Sequence, residues 1–203
     1  MNELMIIGAS GQGKVIADIA EKLGYTNIRF LDDNPQTRFC GAYEVVGGSG
    51  EAAAYRGADF IVAIGNGLVR QRIQNELVQN ELSVATLIHP NAVVAKDVQI
   101  GAGTVVMAGA VINPGARIGQ GCIINTCASV DHDCRIGDYV HISVGAHVAG
   151  TVTVGNNTWI GIGACISNNL EITAGCMIGA GAVVARDIQQ AGTYVGVPAK
   201  KRG

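Results

Sequence analysis

The chain has 203 residues, of which 48% are hydrophobic, 15% are charged and only 4% are aromatic. This composition excludes a disordered chain, and small aliphatic side chains rather than aromatic rings must fill the core. The formal net charge of −2 excludes the strongly basic surface that is typical of nucleic-acid-binding proteins, so we expect no nucleic-acid partner.

The sequence shows no targeting or membrane-spanning segment. The first residues, MNELMIIGASG, lack a basic region followed by a long apolar region, and no apolar stretch is long enough to cross a bilayer. We therefore predict a cytoplasmic protein with no membrane partner. The six cysteines form no C-x-x-C pair, so we interpret them as small buried packing residues in a reducing compartment, not as disulfides or zinc ligands.

Residues 1–85 are predicted to form a small α/β domain. The segments LMIIG, IRFLDD and DFIVAIGN have the pattern of buried strands, and the segments KVIADIAEKLG and LVRQRIQNELVQNE have the pattern of helices. Strands that alternate with helices indicate a parallel, doubly wound sheet of the Rossmann-like type, which binds its ligand at the carboxyl ends of the strands. A second domain is predicted over residues 86–203.

The segment GASGQGKV, residues 8–15, is a candidate phosphate or ribose site. It lacks the Ser or Thr that a P-loop needs for magnesium, and its glycine spacing differs from the dinucleotide-binding pattern. It fits a mononucleotide half-site, in which backbone N–H groups hold a phosphate or ribose and Asp32 and Asp33 accept bonds from sugar hydroxyls or a base. The alternative is structural: the glycines allow a tight turn and the two acids cap a loop.

A strict repeat decides the fold of the second domain. Every sixth residue from Ile88 to Val184 is Ile or Val, without a break. A six-residue period is a signature of β-helices, in which each unit forms one short strand and one corner, and three units complete a coil. Residues three units apart then stack, and the inward Ile/Val ladder fills a triangular prism. This explains how a chain with few aromatic residues builds a core.

The polar segment NTCASVDHD, which ends at Asp133, is the most chemically suggestive part of the repeat region. It places His132 between Asp131 and Asp133. An imidazole that a carboxylate holds in one tautomer can act as a general base near neutral pH. The alternative is a solvated surface corner without a catalytic role. The sequence leaves open whether Asp131 or Asp133 orients the imidazole.

The spacing of the other histidines does not indicate a metal site. His141 and His147 would have to join His132 for a zinc centre of the β-helix carbonic-anhydrase type, but their spacing does not fit that pattern. We therefore predict no metal. His89 directly precedes Pro90 and is interpreted as structural, because residues before proline mark bends.

Six segments in order carry a resemblance to a known family, namely GASGQG, FLDD, AIGN, NTCASVDHD, VHISVGAHVAG and GVPAK. Together they resemble the bacterial sugar acetyltransferases of the PglD/NeuD type, and the resemblance spans nearly the whole chain. It implies a Rossmann-like nucleotide-sugar-binding domain joined to a left-handed parallel β-helix. It also implies acetyl-CoA as co-substrate, the amine of a UDP-linked 4-amino-deoxy sugar as acceptor in bacterial glycan biosynthesis, and a homotrimer with shared active sites.

The resemblance implies a role for each matched residue. His132 would be the general base, Asp133 would stand where better-known members have Glu, and Asn125 would face the active-site groove. Contacts to acetyl-CoA would come from His141, Ile162 and Ala180. The nucleotide sugar would be held by Ser10, Gly11, Gln12, Asp32, Asp33 and Gly65. Gln12 replaces a commoner His, so the contact at this position is expected to differ.

Two other functions are compatible with the same residues. O-acetylation of sialic acid or another sugar would use the same scaffold, because a hydroxyl and an amine present similar geometry to His132. A non-catalytic nucleotide-sugar-binding protein would keep the β-helix without turnover, and the His132–acid pair counts against it.

The basic tail, formed by Lys200, Lys201 and Arg202, either meets the 3′-phosphate of CoA or is solvated.

Overall fold

The structure of the protein is a computed structural model that describes residues 3–202. The chain divides into two compact units, the first ending at Pro90 and the second beginning at Asn91. The predicted functional domains, residues 1–85 and 86–203, stay a prediction. In the part of the chain that the structure describes, no helix is both long and apolar enough to cross a membrane.

The first unit is an α/β layer structure. Its elements are β1 (Glu3–Ile7), α1 (Gly11–Lys22), β2 (Asn27–Leu31), β3 (Phe39–Cys40), β4 (Tyr43–Glu44), a 3-10 helix (Ser49–Tyr55), β5 (Asp59–Val62), α2 (Gly67–Gln79), β6 (Ser83–Val84) and β7 (Leu87–Ile88). Four strands form a parallel sheet in the order β2-β1-β5-β6. In a doubly wound sheet the ligand is expected at the carboxyl ends of the strands, which here are the ends of β1, β2 and β5.

Hydrophobic patterning explains why these elements form. Strand β1 is buried on both faces, with Leu4, Met5 and Ile6 at 0% exposure, as its continuous apolar run predicts. Helix α1 buries a stripe at helical spacing, which includes Ile16, Ala17, Ile19 and Ala20. The β3–β4 hairpin and the 3-10 helix were not predicted, because such short elements carry too little periodicity to be detected.

The second unit is a parallel β-helix of about six turns, with three sheets that we name A, B and C. Within this unit, sheet A contains Val105–Val106, Ile123–Ile124, His141–Ile142, Trp159–Ile160, Cys176–Ile178 and Gly192–Val195, with Lys200–Lys201 antiparallel at its end. Sheet B contains Val93–Val94, Val111–Ile112, Ser129–Val130, His147–Val148, Cys165–Ile166 and Val183–Val184. Sheet C contains Gln99–Ile100, Arg117–Ile118, Arg135–Ile136, Thr153–Val154 and Glu171–Ile172. The chain turns from A to B at corner A–B and from B to C at corner B–C.

The predicted inward ladder fills the β-helix. Every sixth residue from Val106 to Val184 is buried, and paired strands align these residues in register, as Ile124 does with Ile142 and Ile142 with Ile160. In sheets B and C, the first residue of each two-residue strand is more exposed than the second, so the outer surfaces of these sheets carry the polar side chains. The inward ladder is therefore branched aliphatic, which agrees with the low aromatic content.

The interpretation of all six cysteines as buried packing residues is wrong for two of them. Cys40, Cys122, Cys134 and Cys176 are buried, whereas Cys127 and Cys165 are exposed. Cys165 occupies the outward position of its strand in sheet B, and Cys127 lies at corner A–B with a φ of 56°. Composition does not distinguish inward from outward positions, which is why the sequence argument missed this difference.

Candidate active site

His132 lies at corner B–C, and Asp133 contacts its imidazole directly. His132 Nδ1 is 2.9 Å from Asp133 Oδ2, and both side chains are exposed. An ionised carboxylate only accepts hydrogen bonds, so Nδ1 carries the proton and Nε2 keeps a free lone pair. The hydrogen bond to Asp133, with a further contribution from the charges of Asp131 and Asp133, raises the pKa of His132 above its ordinary value. This arrangement is suited to accept a proton at Nε2.

Asp131 holds the backbone of the same corner rather than the ring. Its Oδ1 accepts the backbone N–H of His132 at 2.7 Å and the side-chain amide of Asn113 at 2.7 Å. The Asn113 hydrogen bond, followed by the His132 backbone bond, lowers the pKa of Asp131. Asn113 was missed in the sequence, although it lies one coil before Asp131 and the repeat period points to it. The two acids beside His132 therefore have different tasks.

Asn125 and His141 are brought together next to corner A–B. The side-chain amide of Asn125 is 3.2 Å from His141 Nε2, and Asn125 Oδ1 accepts the backbone N–H of Thr126 at 2.8 Å. The His141 ring is buried and lies against Trp159, with ring centroids 4.5 Å apart. Trp159 Nε1 donates to Ser143 Oγ at 2.7 Å, which fixes the indole. Trp159 and Ser143 were not singled out in the sequence.

An exposed apolar strip, formed by Val144, Ile162 and Ala180, runs along corner A–B. Val144 is 43% exposed, Ile162 is 62% exposed and Ala180 is also exposed. They lie on successive coils, because Gly163 N–H donates to the Val144 carbonyl and Gly181 N–H donates to the Ile162 carbonyl. The predicted residues Ile162 and Ala180 thus share one strip, and Val144 extends it towards Asn125. Such a strip offers apolar surface to a flexible, partly apolar chain.

Within one chain, the His132–Asp133 pair lies at one edge of sheet B, and Asn125 lies with the apolar strip at the opposite edge. His132 and Asp133 occupy corner B–C, whereas Asn125 and the apolar strip occupy corner A–B. A strand of sheet B, Ser129–Val130, separates Asn125 from His132 along the chain. The structure therefore does not bring the predicted catalytic residue Asn125 to His132 within a single chain.

The first unit has an open cavity of about 320 Å³ at the carboxyl ends of its strands, lined in part by Ser10, Asp32, Asp33 and Gly65. These residues were predicted as nucleotide-sugar contacts, and the fold brings them together. Gly11 and Gln12 begin α1 directly after Ser10. A second open cavity, of about 370 Å³, shares Asp32 and Asp33 with the first. This edge of the sheet has room for a ligand of nucleotide size.

The two acids at the end of β2 hold the surrounding loops. Asp32 accepts the backbone N–H groups of Ala9 at 2.7 Å and Asn34 at 2.9 Å. Asp33 accepts the backbone N–H of Ser49 at 2.7 Å and its hydroxyl at 3.1 Å, and the backbone bond is the main reason that the pKa of Asp33 is lowered. The two acids thus hold loops, as the structural alternative in the sequence analysis predicts. Each carboxylate oxygen keeps a second lone pair for a ligand.

The three glycines of the turn have different reasons to be glycine. Gly8 has a φ of 109°, which side-chain-bearing residues rarely adopt, and a Cβ on Gly13 would collide with the Gly8 carbonyl and the Phe30 ring. Gly11 has neither a positive φ nor any neighbour within 4 Å of an added Cβ. Packing within the fold therefore does not require a glycine at position 11.

Two further polar groups at this edge bear on ligand binding. The side-chain nitrogen of Gln12 is inaccessible and has no hydrogen-bond partner among residues 3–202. Arg70 is 1% exposed and donates from Nη1 to the carbonyls of Ile64 at 2.6 Å and Gly65 at 2.9 Å, which holds the loop that lines the cavity. Arg70 was missed because an arginine on a helix normally indicates a solvent-exposed face.

No metal centre is evident in the described part of the chain. Between residues 3 and 202, the structure holds no group of three or more His, Cys, Asp or Glu side chains that could bind a metal ion.

Comparisons with known proteins agree with this two-part architecture. The sequence family of the PglD N-terminal domain matches residues 3–77. The sequence family of the bacterial transferase hexapeptide repeat matches residues 85–114 and 151–186. The acetyltransferase domain of PglB from Neisseria gonorrhoeae FA1090 is 39% identical over the whole of both chains, with a TM-score of 0.96. The chain belongs to the PglB/PglD-type acetyltransferase family. The predicted combination of a Rossmann-like domain with a left-handed parallel β-helix is confirmed.

Two other relatives are described with a nucleotide-linked sugar. PerB from Caulobacter crescentus, solved in complex with CoA and GDP-perosamine, is 36% identical over 100% of this chain and 98% of its own, with a TM-score of 0.95. The UDP-N-acetylbacillosamine N-acetyltransferase of Bacillus subtilis (strain 168) is 38% identical over 108 residues, which are 51% of this chain and 50% of that protein. The match thus spans half the length of this curated relative.

Proposed function

We propose that this PglB/PglD-type protein transfers an acetyl group from acetyl-CoA to the 4-amine of a nucleotide-linked amino-deoxy sugar in bacterial glycan biosynthesis. The observation that carries the proposal is the 2.9 Å bond from His132 Nδ1 to Asp133, which leaves Nε2 available as a base on an exposed ring. Acetyl coenzyme A is bound to the PglB domain, which is 40% identical to this chain in that complex. Binding of the sugar is assigned to the cavity of the first unit.

The proposed mechanism is direct transfer without an acyl-enzyme. The amine nitrogen attacks the thioester carbonyl carbon, and His132 Nε2 takes a proton from that nitrogen as the C–N bond forms. The C–S bond then breaks, and the thiolate of CoA leaves and accepts the proton from the imidazolium. Asp133 stabilises the imidazolium through its bond to Nδ1 and prevents the ring from turning. No cysteine is assigned a role as nucleophile.

We also propose that the protein acts as a homotrimer in which each site is shared between neighbouring β-helices. The support is the separation described above: His132 lies at one edge of sheet B, and Asn125 and the apolar strip lie at the other. A second copy with its corner A–B against corner B–C of the first would bring the base and the acetyl-CoA contacts of His141, Ile162 and Ala180 into one groove. Closed cyclic symmetry then repeats the site at each contact.

A UDP-linked sugar is the proposed acceptor. The B. subtilis relative carries UDP in its name, and PerB was solved with a GDP-linked sugar, so the family includes both bases. UDP and GDP share the diphosphate and the ribose. We assign these two groups to the start of α1 and to the cavity residues Ser10, Asp32, Asp33 and Gly65. The cytoplasmic location stays a prediction.

A thiol-release assay tests this function. The purified protein is mixed with acetyl-CoA and, in separate reactions, a UDP-linked 4-amino-4,6-dideoxy sugar, its GDP-linked counterpart and free sialic acid. We expect turnover with the UDP-linked amine and little with the others. Turnover only with the GDP-linked amine would overturn the choice of base, turnover only with sialic acid would move the protein to the O-acetylating group, and no turnover with any of them would favour the non-catalytic alternative.

A glycine pair tests the nucleotide-sugar site separately from catalysis. Gly11→Ala places a methyl group in open space at the start of α1, so we expect an unchanged melting temperature and a roughly tenfold higher KM for the nucleotide sugar, because a phosphate must approach this backbone closely. Gly13→Ala is the matched control for packing, since its methyl group collides with Gly8 and Phe30 and should lower the melting temperature. An unchanged KM in Gly11→Ala would remove this turn from the site.

A further inference from the structure

Gly150 lies directly beside the imidazole of His132, one coil further along the β-helix. A Cβ added to Gly150 would lie 2.5 Å from Nε2, 2.7 Å from Cε1 and 3.0 Å from Cδ2 of His132. These three atoms of the ring are its nearest neighbours. Non-bonded carbon and nitrogen atoms do not approach this closely, so any side chain at position 150 would displace the ring.

The backbone gives Gly150 no other reason to be glycine. Its φ lies outside the left-handed region, and its carbonyl accepts the N–H of Asn169 at 3.0 Å in the ordinary stacking of coils. The adjacent residue, Thr151, donates its N–H to the His132 carbonyl at 2.9 Å, which ties the two coils together at this corner. The missing side chain at position 150 is therefore matched to the His132 ring and not to a strained turn.

We propose that Gly150 is a positioning residue for His132. Without a side chain, it leaves a shallow space in which the imidazole lies against the backbone while Nδ1 stays bonded to Asp133. The ring is then held from two directions: Asp133 at Nδ1, and the coil of Gly150 along the edge that carries Nε2. Its catalytic consequence rests on the proposed function, but its effect on the ring does not.

At this corner, the position of the His132 ring can change without a loss of fold stability. His132 is at a solvent-exposed corner, so a methyl group at position 150 is relieved when the ring turns away and no core atom has to move. Turning the ring removes Nε2 from its place and weakens the bond to Asp133. A base displaced by about 1 Å loses much of its catalytic effect, on the order of 100-fold.

The test is Gly150→Ala, measured alone and together with His132→Ala. In the single variant we expect a fall in kcat of at least about tenfold, an unchanged KM for acetyl-CoA and a melting temperature close to that of the native protein. The titration of His132, followed by NMR of its ring carbon protons, should move to lower pH because the bond to Asp133 raises its pKa. In the His132→Ala background the added methyl group meets no ring, so it should change neither stability nor residual activity.

The outcomes distinguish this proposal from the proposed function. A native kcat and a native His132 titration in Gly150→Ala would overturn the positioning role, as would an equal loss of stability in both backgrounds. A shifted titration in a protein that acetylates no sugar would support the positioning role and overturn the enzymatic function. Gly57→Ala is the matched control, because an added Cβ at Gly57 meets nothing within 4 Å.

Discussion

His132→Ala is expected to lower kcat by about 10²–10⁴, because this is the usual contribution of a positioned general base. Binding of acetyl-CoA should persist, since its proposed contacts are His141, Ile162 and Ala180 and do not include His132. The measurement is steady-state kinetics together with calorimetric titration of acetyl-CoA. A kcat near that of the native protein would end the assignment of His132 as the base.

His147→Ala is the matched histidine control. His147 is exposed on the outer surface of sheet B, where its Nδ1 is 2.9 Å from Ser129 Oγ. Its removal tests whether loss of any exposed imidazole from the β-helix affects turnover. We expect the free energy of unfolding to change by less than about 0.5 kcal/mol, which is typical of surface substitutions, and kcat to stay close to that of the native protein.

The pH dependence gives a second test of the same residue. The base must be neutral, so kcat/KM should fall as pH decreases through the raised pKa of His132. In Asp133→Asn the main cause of the raised pKa is lost, and the acid limb should move to lower pH while the plateau rate falls. Asn tolerates the left-handed backbone of Asp133, which has a φ of 59°, so the corner itself is retained. An unmoved limb would show that Asp133 does not act on the base.

Two isoleucine substitutions should differ strongly in their effect on the free energy of unfolding. Ile142→Ala removes a fully buried member of the inward ladder and is expected to lower the free energy of unfolding by about 2–5 kcal/mol. Ile162→Ala removes a side chain that is 62% exposed on the apolar strip, so stability should change by less than about 0.5 kcal/mol. Urea unfolding at a fixed protein concentration measures both changes. Equal destabilisation would contradict the inward and outward assignment of the repeat.

The same pair separates the core from the proposed acetyl-CoA contact. Ile162→Ala should raise the KM for acetyl-CoA by about tenfold, because truncation removes apolar area worth roughly 1–2 kcal/mol on contact with the ligand. The kcat should stay close to native, since the proposed contact of Ile162 with acetyl-CoA is apolar and takes no part in proton transfer. An unchanged KM would exclude the apolar strip from the acyl-donor site.

The fold could be predicted from the sequence because its determinants are local and periodic. The unbroken Ile/Val ladder predicts a β-helix that buries every sixth side chain, and the structure buries these residues from Val106 to Val184. The left-handed sense came from the family resemblance and not from the period. The alternation of apolar strands and helices likewise predicted the sheet of the first unit, and the strand ends predicted that the glycine turn would meet Asp32 and Asp33. Gly65, which lines the same cavity, was predicted from the family resemblance. The short elements between residues 34 and 58 left no such period and were missed.

The tertiary structure alone decided how the site residues divide their tasks. Asp131 and Asp133 flank His132 equally in sequence, yet the backbone at the corner turns Asp133 to the ring and leaves Asp131 to Asn113 and the backbone. Coil stacking placed Gly150 against the imidazole, and the strand Ser129–Val130 of sheet B separated Asn125 from His132. A repeat determines which residues point inward and which outward residues stack on successive coils, as Asn113 does with Asp131, because the coil has a fixed period. The dihedral angles of each corner then decide which of the stacked and neighbouring side chains bond to one another.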